Sequence, residues 1–228
     1  MKRSGMIRQI IIAFNDPANG PEPIEWIVLT YDEENHRAML LSKYGLDTLK
    51  FDENYRYGQK TIWETCSARE WLNNDFFNNA FSNEEQKAIP MTEVDNSDNL
   101  NPSRGQKEKS TNTQDQIFLL SKSEAEVYLG AGRSWRNEPE EYAVCLKARV
   151  APTDYAVAHG ALISDQFQTM EGKPAVKWLL RTSDNVYRNV MAVNESGTFG
   201  DSDPKEKDSS SLPVARPALW LDLDADIF

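Results

Sequence analysis

Cysteine and histidine are scarce in this chain, at two each among 228 residues. Cys66 and Cys145 make no disulfide framework and no zinc-ligand spacing. Each is expected to stay reduced and to pack as a small apolar residue, with one long-range disulfide as the alternative. His36 falls in a hairpin turn and His159 closes a short helix, so neither reads as a catalytic base or a metal ligand. Neither a Gly-rich phosphate loop nor a Gly-x-Ser-x-Gly elbow occurs. Long apolar runs are absent too. The longest near the N-terminus is Ile10–Phe14, far short of the roughly 20 residues a membrane span needs. Met1-Lys2-Arg3 looks like the basic start of a signal peptide, but no adequate apolar run or small-residue cleavage site follows. A soluble, cytoplasmic protein is expected, or a secreted one had a leader been removed. Basic residues are outnumbered 25 to 36, for a net charge of −11. Arg104–Lys109 is short and diluted by Glu108, so no basic patch offers nucleic acid a footing.

What is present is material for a core. The chain is 39% hydrophobic and 10% aromatic, with six Trp and nine Phe, and this suits one domain over residues 1–228. Ile7–Phe14 is β-rich and is broken by Asn15-Asp16-Pro17 and Asn19-Gly20-Pro21. Glu25–Tyr31 and Arg37–Ser42 read as a hairpin around the turn Asp32–Asn35. Leu46–Gly58 reads as a loop. Three capping boxes predict three helix starts, at Ser67–Glu70, Ser82–Glu85 and Ser123–Glu126. A further helix is predicted from Thr153 or Asp154 to Gly160. Thr92–Gln116 and Gly200–Ser211 are polar and are expected to be long exposed loops. Ile117–Ser121, Trp178–Thr182 and Val186–Val193 read as strands. Val214–Leu221 is the most apolar run near the C-terminus. It is expected to close the sheet beside Trp178–Thr182 and the N-terminal strands. Strands, then helices, then strands predict an α+β fold with a mainly antiparallel sheet, a few short helices and long polar loops.

Several landmarks form a recognisable set. They are Ile24-Glu25-Trp26, Leu40-Leu41-Ser42, Ser67-x-Arg69-x-Trp71-Leu72-Asn73, Ile117-Phe118-Leu119-Leu120-Ser121, Pro152-Thr153-Asp154-Tyr155-Ala156, Trp178-Leu179-Leu180-Arg181 and Arg216-Pro217-Ala218-Leu219-Trp220-Leu221. In order and content they resemble an uncharacterised bacterial domain family common in Firmicutes, over about Ile24 to Leu221. The resemblance implies a C-type-lectin-like fold, related to the formylglycine-generating sulfatase modifiers. Fold does not fix function, and no activity carries over.

Arg181 and Arg216 stand inside apolar strands, where a guanidinium needs acceptors. The structural reading gives each an ion pair, with Asp154 or Asp184 as partner. The functional reading has them line a pocket for an anionic or sugar ligand. Arg69 reads as an exposed helical residue or as a third arginine of that kind. A calcium–sugar site is poorly supported. Glu138-Pro139-Glu140 is an imperfect match to the lectin motif, and Trp71-Leu72-Asn73-Asn74-Asp75 falls on a predicted helix. Asp222, Asp224 and Asp226 read as a solvated acidic end. The chain is therefore expected to be a non-catalytic binding module without metal or cofactor. Its ligand would be a small molecule, glycan or protein, and its binding residues Arg181, Trp178, Asp154, Tyr155 and Arg216, beside the loops 92–116 and 200–211. Two alternatives are a thiol- or copper-dependent oxidase of the formylglycine-generating class, using Cys66 and Cys145, and a structural domain of a larger assembly.

Overall fold

A computed structural model describes residues 13–16, 20–57, 59–97, 111–132, 145–183, 189–205 and 212–226. Ala13–Asp16 (β1) and Gly20–Pro23 (β2) form a short hairpin. The expected Ile7–Phe14 strand lies largely outside the described residues. Of the residues expected to break it, Asn15, Asp16, Gly20 and Pro21 belong to the paired strands instead: Asn15 faces Pro21 and Asp16 faces Gly20. A two-stranded ribbon tolerates proline because half of its backbone N–H groups point away from the ladder.

Trp26–Asp32 (β3) and Arg37–Ser42 (β4) make the predicted hairpin, with an irregularity between Val28 and Thr30. The Asp32 carboxylate fixes the turn. It accepts from the Asn35 backbone N–H at 3.1 Å, the Asn35 amide at 2.9 Å and Arg37 Nε at 2.9 Å. β4 buries Ala38, Met39, Leu40 and Leu41 in succession, which fits a central strand covered on both faces. Ala218–Asp222 (β11) pairs antiparallel with β4 on one side and with Ile117–Phe118 (β7) on the other. The order of this sheet is β3-β4-β11-β7. The closing strand thus sits beside the N-terminal strands, as expected. Trp178–Ser183 (β8) belongs to a second sheet, ordered β10-β9-β8 with Val190–Val193 (β9) and Phe199–Ser202 (β10). Val214 alone bridges towards Trp178, and also towards Thr48. Pro213 and Pro217 flank that short junction, and proline donates no hydrogen bond to a ladder. All the named strand pairs are antiparallel, so the architecture is α+β.

Helices sit between the sheet elements. Ser67–Trp71 (α1) continues through a π-helical turn, Leu72–Phe76, into Phe77–Ala80 (α2). The box expected at Ser67 does not form. Cys66 is the N-cap residue and makes no side-chain cap, because the Ser67 hydroxyl accepts from the Glu53 backbone at 2.9 Å. Asn83–Lys87 (α3) starts with the predicted box of Ser82 and Glu85. Lys122–Leu129 (α4) starts two residues before the expected site. Ser121, extended at the end of the β7 segment, caps it together with Glu124, and Gly130 ends it in the left-handed region at φ 65°. Asp154–Ala158 (α5) is capped by the Thr153 hydroxyl, the first of the two caps expected.

Both polar stretches contain strands. Thr92–Val94 (β5) pairs with Thr113–Asp115 (β6), with Thr92, Val94, Thr113 and Asp115 turned inward. β10, Phe199–Ser202, takes up the start of the second stretch. Polar residues dominate the β5–β6 hairpin: of its inward positions only Val94 joins the apolar core, while Thr92, Thr113 and Asp115 are held by hydrogen bonds. Residues 98–110 and 206–211 lie outside the described residues, as do 133–144 and Asp184. Trp63, Leu72, Phe118, Leu40, Leu41 and Trp178 lie at the centre of the core. Segment 45–49 is laced to two neighbours: Gly45 and Leu46 donate to Ala151 and Ala215, and Ala215 donates to Asp47. Glycine is required at 45, since a Cβ there would lie 2.2 Å from Val214 Cγ2.

Candidate functional site

Strand β8 carries Arg181 into the interior, where it is 2% exposed. Its five N–H donors all find acceptors. Nε donates to Asn96 Oδ1 at 3.3 Å, Nη1 to the Leu119 carbonyl at 2.8 Å and to Glu124 Oε2, and Nη2 to the Asp95 carbonyl at 2.9 Å and Glu124 Oε1 at 3.0 Å. The Phe118 ring lies 5.7 Å from the guanidinium. The carboxylate partner is therefore Glu124 of α4, the same residue that closes the helix cap with Ser121. Asp154 is not the partner, and Asp184 lies outside the described residues.

Arg69 is anchored in the same manner. Its Nε meets Asp115 Oδ1 at 2.6 Å, Nη1 the Glu64 carbonyl at 3.0 Å and Nη2 the Gln114 carbonyl at 3.1 Å. Asp115 is fully buried. Its other oxygen accepts from Trp63 Nε1 at 2.9 Å and Thr113 Oγ1 at 2.6 Å. Asn96 then joins the two arginines, because its amide donates to Thr113 Oγ1 at 3.3 Å while its carbonyl oxygen receives Arg181. One hydrogen-bonded chain thus runs Arg69–Asp115–Thr113–Asn96–Arg181–Glu124–Ser121. It crosses the base of the β5–β6 hairpin, where Asn96 also holds the Thr111 carbonyl at 2.9 Å. Such a network is stabilising only when its members are satisfied, as these are.

Arg216 is different. It is 3% exposed, and among the described residues no carboxylate pairs with it. Nε donates to the Ser42 carbonyl at 3.0 Å, the guanidinium stands 5.1 Å from the Trp178 ring, and Nη1 is buried without a partner. Burial pushes its pKa down to about 9. Trp178 itself is fully buried and donates through Nε1 to the Ala148 carbonyl at 2.9 Å.

The five sequence-selected residues fall into three places. Trp178 and Arg216 meet, Arg181 belongs to the polar chain, and Asp154 and Tyr155 stand on α5. Asp154 is exposed and Tyr155 half-buried. The Tyr155 ring packs edge-on against His159 with centroids 3.9 Å apart, and His159 Nδ1 lies 2.9 Å from Asp47 Oδ1. Burial raises the Asp47 pKa, against the opposing pull of His159. Burial, then the Asp47 charge, raises that of Tyr155. Asp47, Asn96, Asp115 and Glu124 become partners only in the folded chain. Only Glu124 had a usable signal, the spacing Ser121-x-x-Glu124.

Cys66 and Cys145 are both buried and form no disulfide. Burial is the first cause that pushes the Cys66 thiol up to about 12, so at neutral pH it is protonated and a poor nucleophile. Cys145 is walled by Gly132 and Gly197. Among the described residues no group of three or more His, Cys, Asp and Glu could hold a metal ion. No helix among them is long and apolar enough to cross a membrane.

No curated protein and no solved structure gives a significant match to the chain. A family model matches residues 35–223, a span from the β3–β4 turn to the residue after β11. It takes in the capped helices, both buried arginines and the polar chain between Arg69 and Ser121. The chain therefore belongs to the family described as Domain of unknown function (DUF6273).

Proposed function

We propose that the chain is a non-catalytic binding module, a single domain of C-type-lectin-like form whose ligand is a protein or a glycan. The observation that carries this reading is the use made of the buried polar groups. Arg69, Asp115, Asn96 and Arg181 tie down the base of the β5–β6 hairpin and leave Arg181 no donor for a reacting group. Recognition then falls to residues 98–110, carried by the β5–β6 stem, and to residues 206–211, with exposed Asp154 and half-buried Tyr155 as further contacts. Trp178, Arg181 and Arg216, all buried, belong to the scaffold rather than to the contact surface. Loops held on a rigid scaffold are common carriers of binding.

The test uses glycan and peptide arrays probed with the fluorescently labelled chain. A second protein has 98–110 and 206–211 replaced by Gly-Ser linkers of equal length. The intact chain is expected to bind a restricted set of spots, and the linker version to keep its melting temperature and lose them. No binding by the intact chain, or equal binding by both, overturns the reading.

A further inference from the structure

The outer strands of the two larger sheets are bonded to other parts of the chain, with one exception. At β7 the Asn73 side chain stands in for a neighbouring strand. Its amide donates to the Ile117 carbonyl at 2.9 Å, and its oxygen accepts from the Gln116 and Ile117 N–H groups at 2.8 and 3.2 Å. On β8 the Leu179 N–H donates to the Val214 carbonyl at 3.1 Å and the Arg181 N–H to the Leu120 carbonyl at 3.0 Å. On β10 the Phe199 N–H donates to the Gly132 carbonyl at 2.8 Å. β3 is the exception. It pairs with β4 alone, and its other edge has no backbone partner among the described residues. From Trp26 to Tyr31 it carries neither a charge nor a proline, two devices that commonly guard an open edge. Trp26 also has a buried indole N–H with no partner among the described residues.

The hairpin before β3 shows which segment can reach that edge. Pro21 and Pro23 have no N–H, so β2 donates to β1 through Gly20 and Glu22. Backbone groups of an extended chain turn to its two edges in alternation. Ile24, Trp26 and Val28 therefore face the β1 side, and Glu25 and Ile27 face the opposite side. The opposite side is that of β4, since the Glu25 carbonyl accepts from the Lys43 N–H at 2.8 Å just past the end of β4. β1 thus lies on the open edge of the chain that becomes β3. Ala13 faces Pro23, and the same register carried onward sets Ile12, Ile10 and Arg8 opposite Ile24, Trp26 and Val28. Residues 1–12 lie outside the described residues. Ile7, Ile10, Ile11 and Ile12 supply the β-branched residues that strands favour.

We propose that the outer edge of β3 is a strand-docking site filled by this chain's own residues 7–12, as a fifth strand antiparallel to β3. Directly opposed residues share a face of a sheet. Ile10 and Ile12 then join the face of Ile24, which is buried, and of Trp26, which packs 6.2 Å from the Phe81 ring. The proposal stands apart from the reading of the chain as a binding module, and its failure leaves the loop test untouched.

The test is NMR of the full chain labelled with carbon-13 and nitrogen-15. Gln9 and Ile27 form a non-hydrogen-bonded pair in this register, with Cα atoms about 4.5 Å apart, and are expected to give an Hα–Hα nuclear Overhauser contact. The Trp26 and Val28 N–H groups are expected to be protected from deuterium exchange. The full-length Ile10→Pro variant loses a ladder N–H, and exchange at Trp26 and Val28 is expected to quicken by about tenfold or more while Arg37–Ser42 stays protected. The natural chain decides the matter if that variant fails to fold. The proposal is overturned if Trp26 and Val28 exchange as exposed amides do, or if their cross-strand contacts come from a segment other than 7–12. It is equally overturned if isotope-filtered spectra of a mixed-label sample place the contacts between two copies, or if a folded Ile10→Pro chain leaves that exchange unchanged.

Discussion

Arg181 and Arg216 are two buried arginines with opposite energetics. Arg181 completes a network, so removing it leaves the Glu124 carboxylate with only the Ser121 backbone N–H and takes from the Asn96 oxygen its arginine donor. Arg181→Met is expected to cost about 3–5 kcal/mol, the usual penalty for breaking a buried pair on one side. Arg216 has one orphaned nitrogen and no described carboxylate. It is held by a ring and one carbonyl. Arg216→Met keeps most of the packing volume and removes the desolvation cost, at the loss of a cation–π contact worth about 1–2 kcal/mol. Urea denaturation is expected to place Arg216→Met at least about 2 kcal/mol above Arg181→Met in stability; the reverse order would contradict the assignment.

Cys66 supplies a pH dependence at the same scale. Its folded pKa, about 12, lies above the ordinary thiol value of 9.0. Between those values the unfolded chain releases a proton that the folded chain retains. The unfolded state then binds fewer protons, so stability falls as pH rises. The thiol's contribution is whole below about pH 9 and is lost on approach to pH 12. Cys66→Ala is expected to be less stable at pH 7, through a small cavity, and to show a flatter decline above pH 9. Denaturation midpoints across that range, with the natural chain alongside, provide the check.

At the scale of elements, helix starts separate real caps from sequence look-alikes. Ser121→Ala removes the cap of α4 and is expected to cost about 1 kcal/mol. Ser67→Ala leaves α1 without loss of a cap, because the hydroxyl serves the Glu53 backbone instead. It is expected to cost only about 0.5 kcal/mol, as an exposed hydrogen bond does. Chemical denaturation of the two variants measures the difference. The comparison also shows what the sequence makes legible. Periodicity and turn chemistry identify β3, β4, β8, β11, α3 and α5, because their apolar residues or side-chain caps act locally. A capping box at Ser67 cannot be told from a serine engaged fourteen residues away. Hairpin β5–β6 is hidden for a related reason. Thr-Glu-Val and Thr-Gln-Asp alternate in the way strands do, but the inward positions include Thr113 and Asp115, whose partners come from distant elements. The candidate site shares this limit. Both arginines stand out as charges in apolar stretches of sequence, although only Arg181 lies in a strand and Arg216 precedes β11, whereas Glu124, Asn96 and Ser42 become their partners only through tertiary contact.

For the whole molecule, the two larger antiparallel sheets and the capped helices meet around one cluster of buried side chains, and the polar chain from Arg69 to Ser121 crosses that interior. Its consequence is a β5–β6 stem stabilised by core interactions in spite of its polar sequence. Native-state hydrogen exchange tests this central claim directly. The hydrogen-bonded amides of Thr92–Val94 and Thr113–Asp115 are expected to exchange only in the same rare openings as those of Arg37–Ser42 and Ala218–Asp222. Exchange of the stem by local fraying, at much lower protection than those central strands, would contradict it.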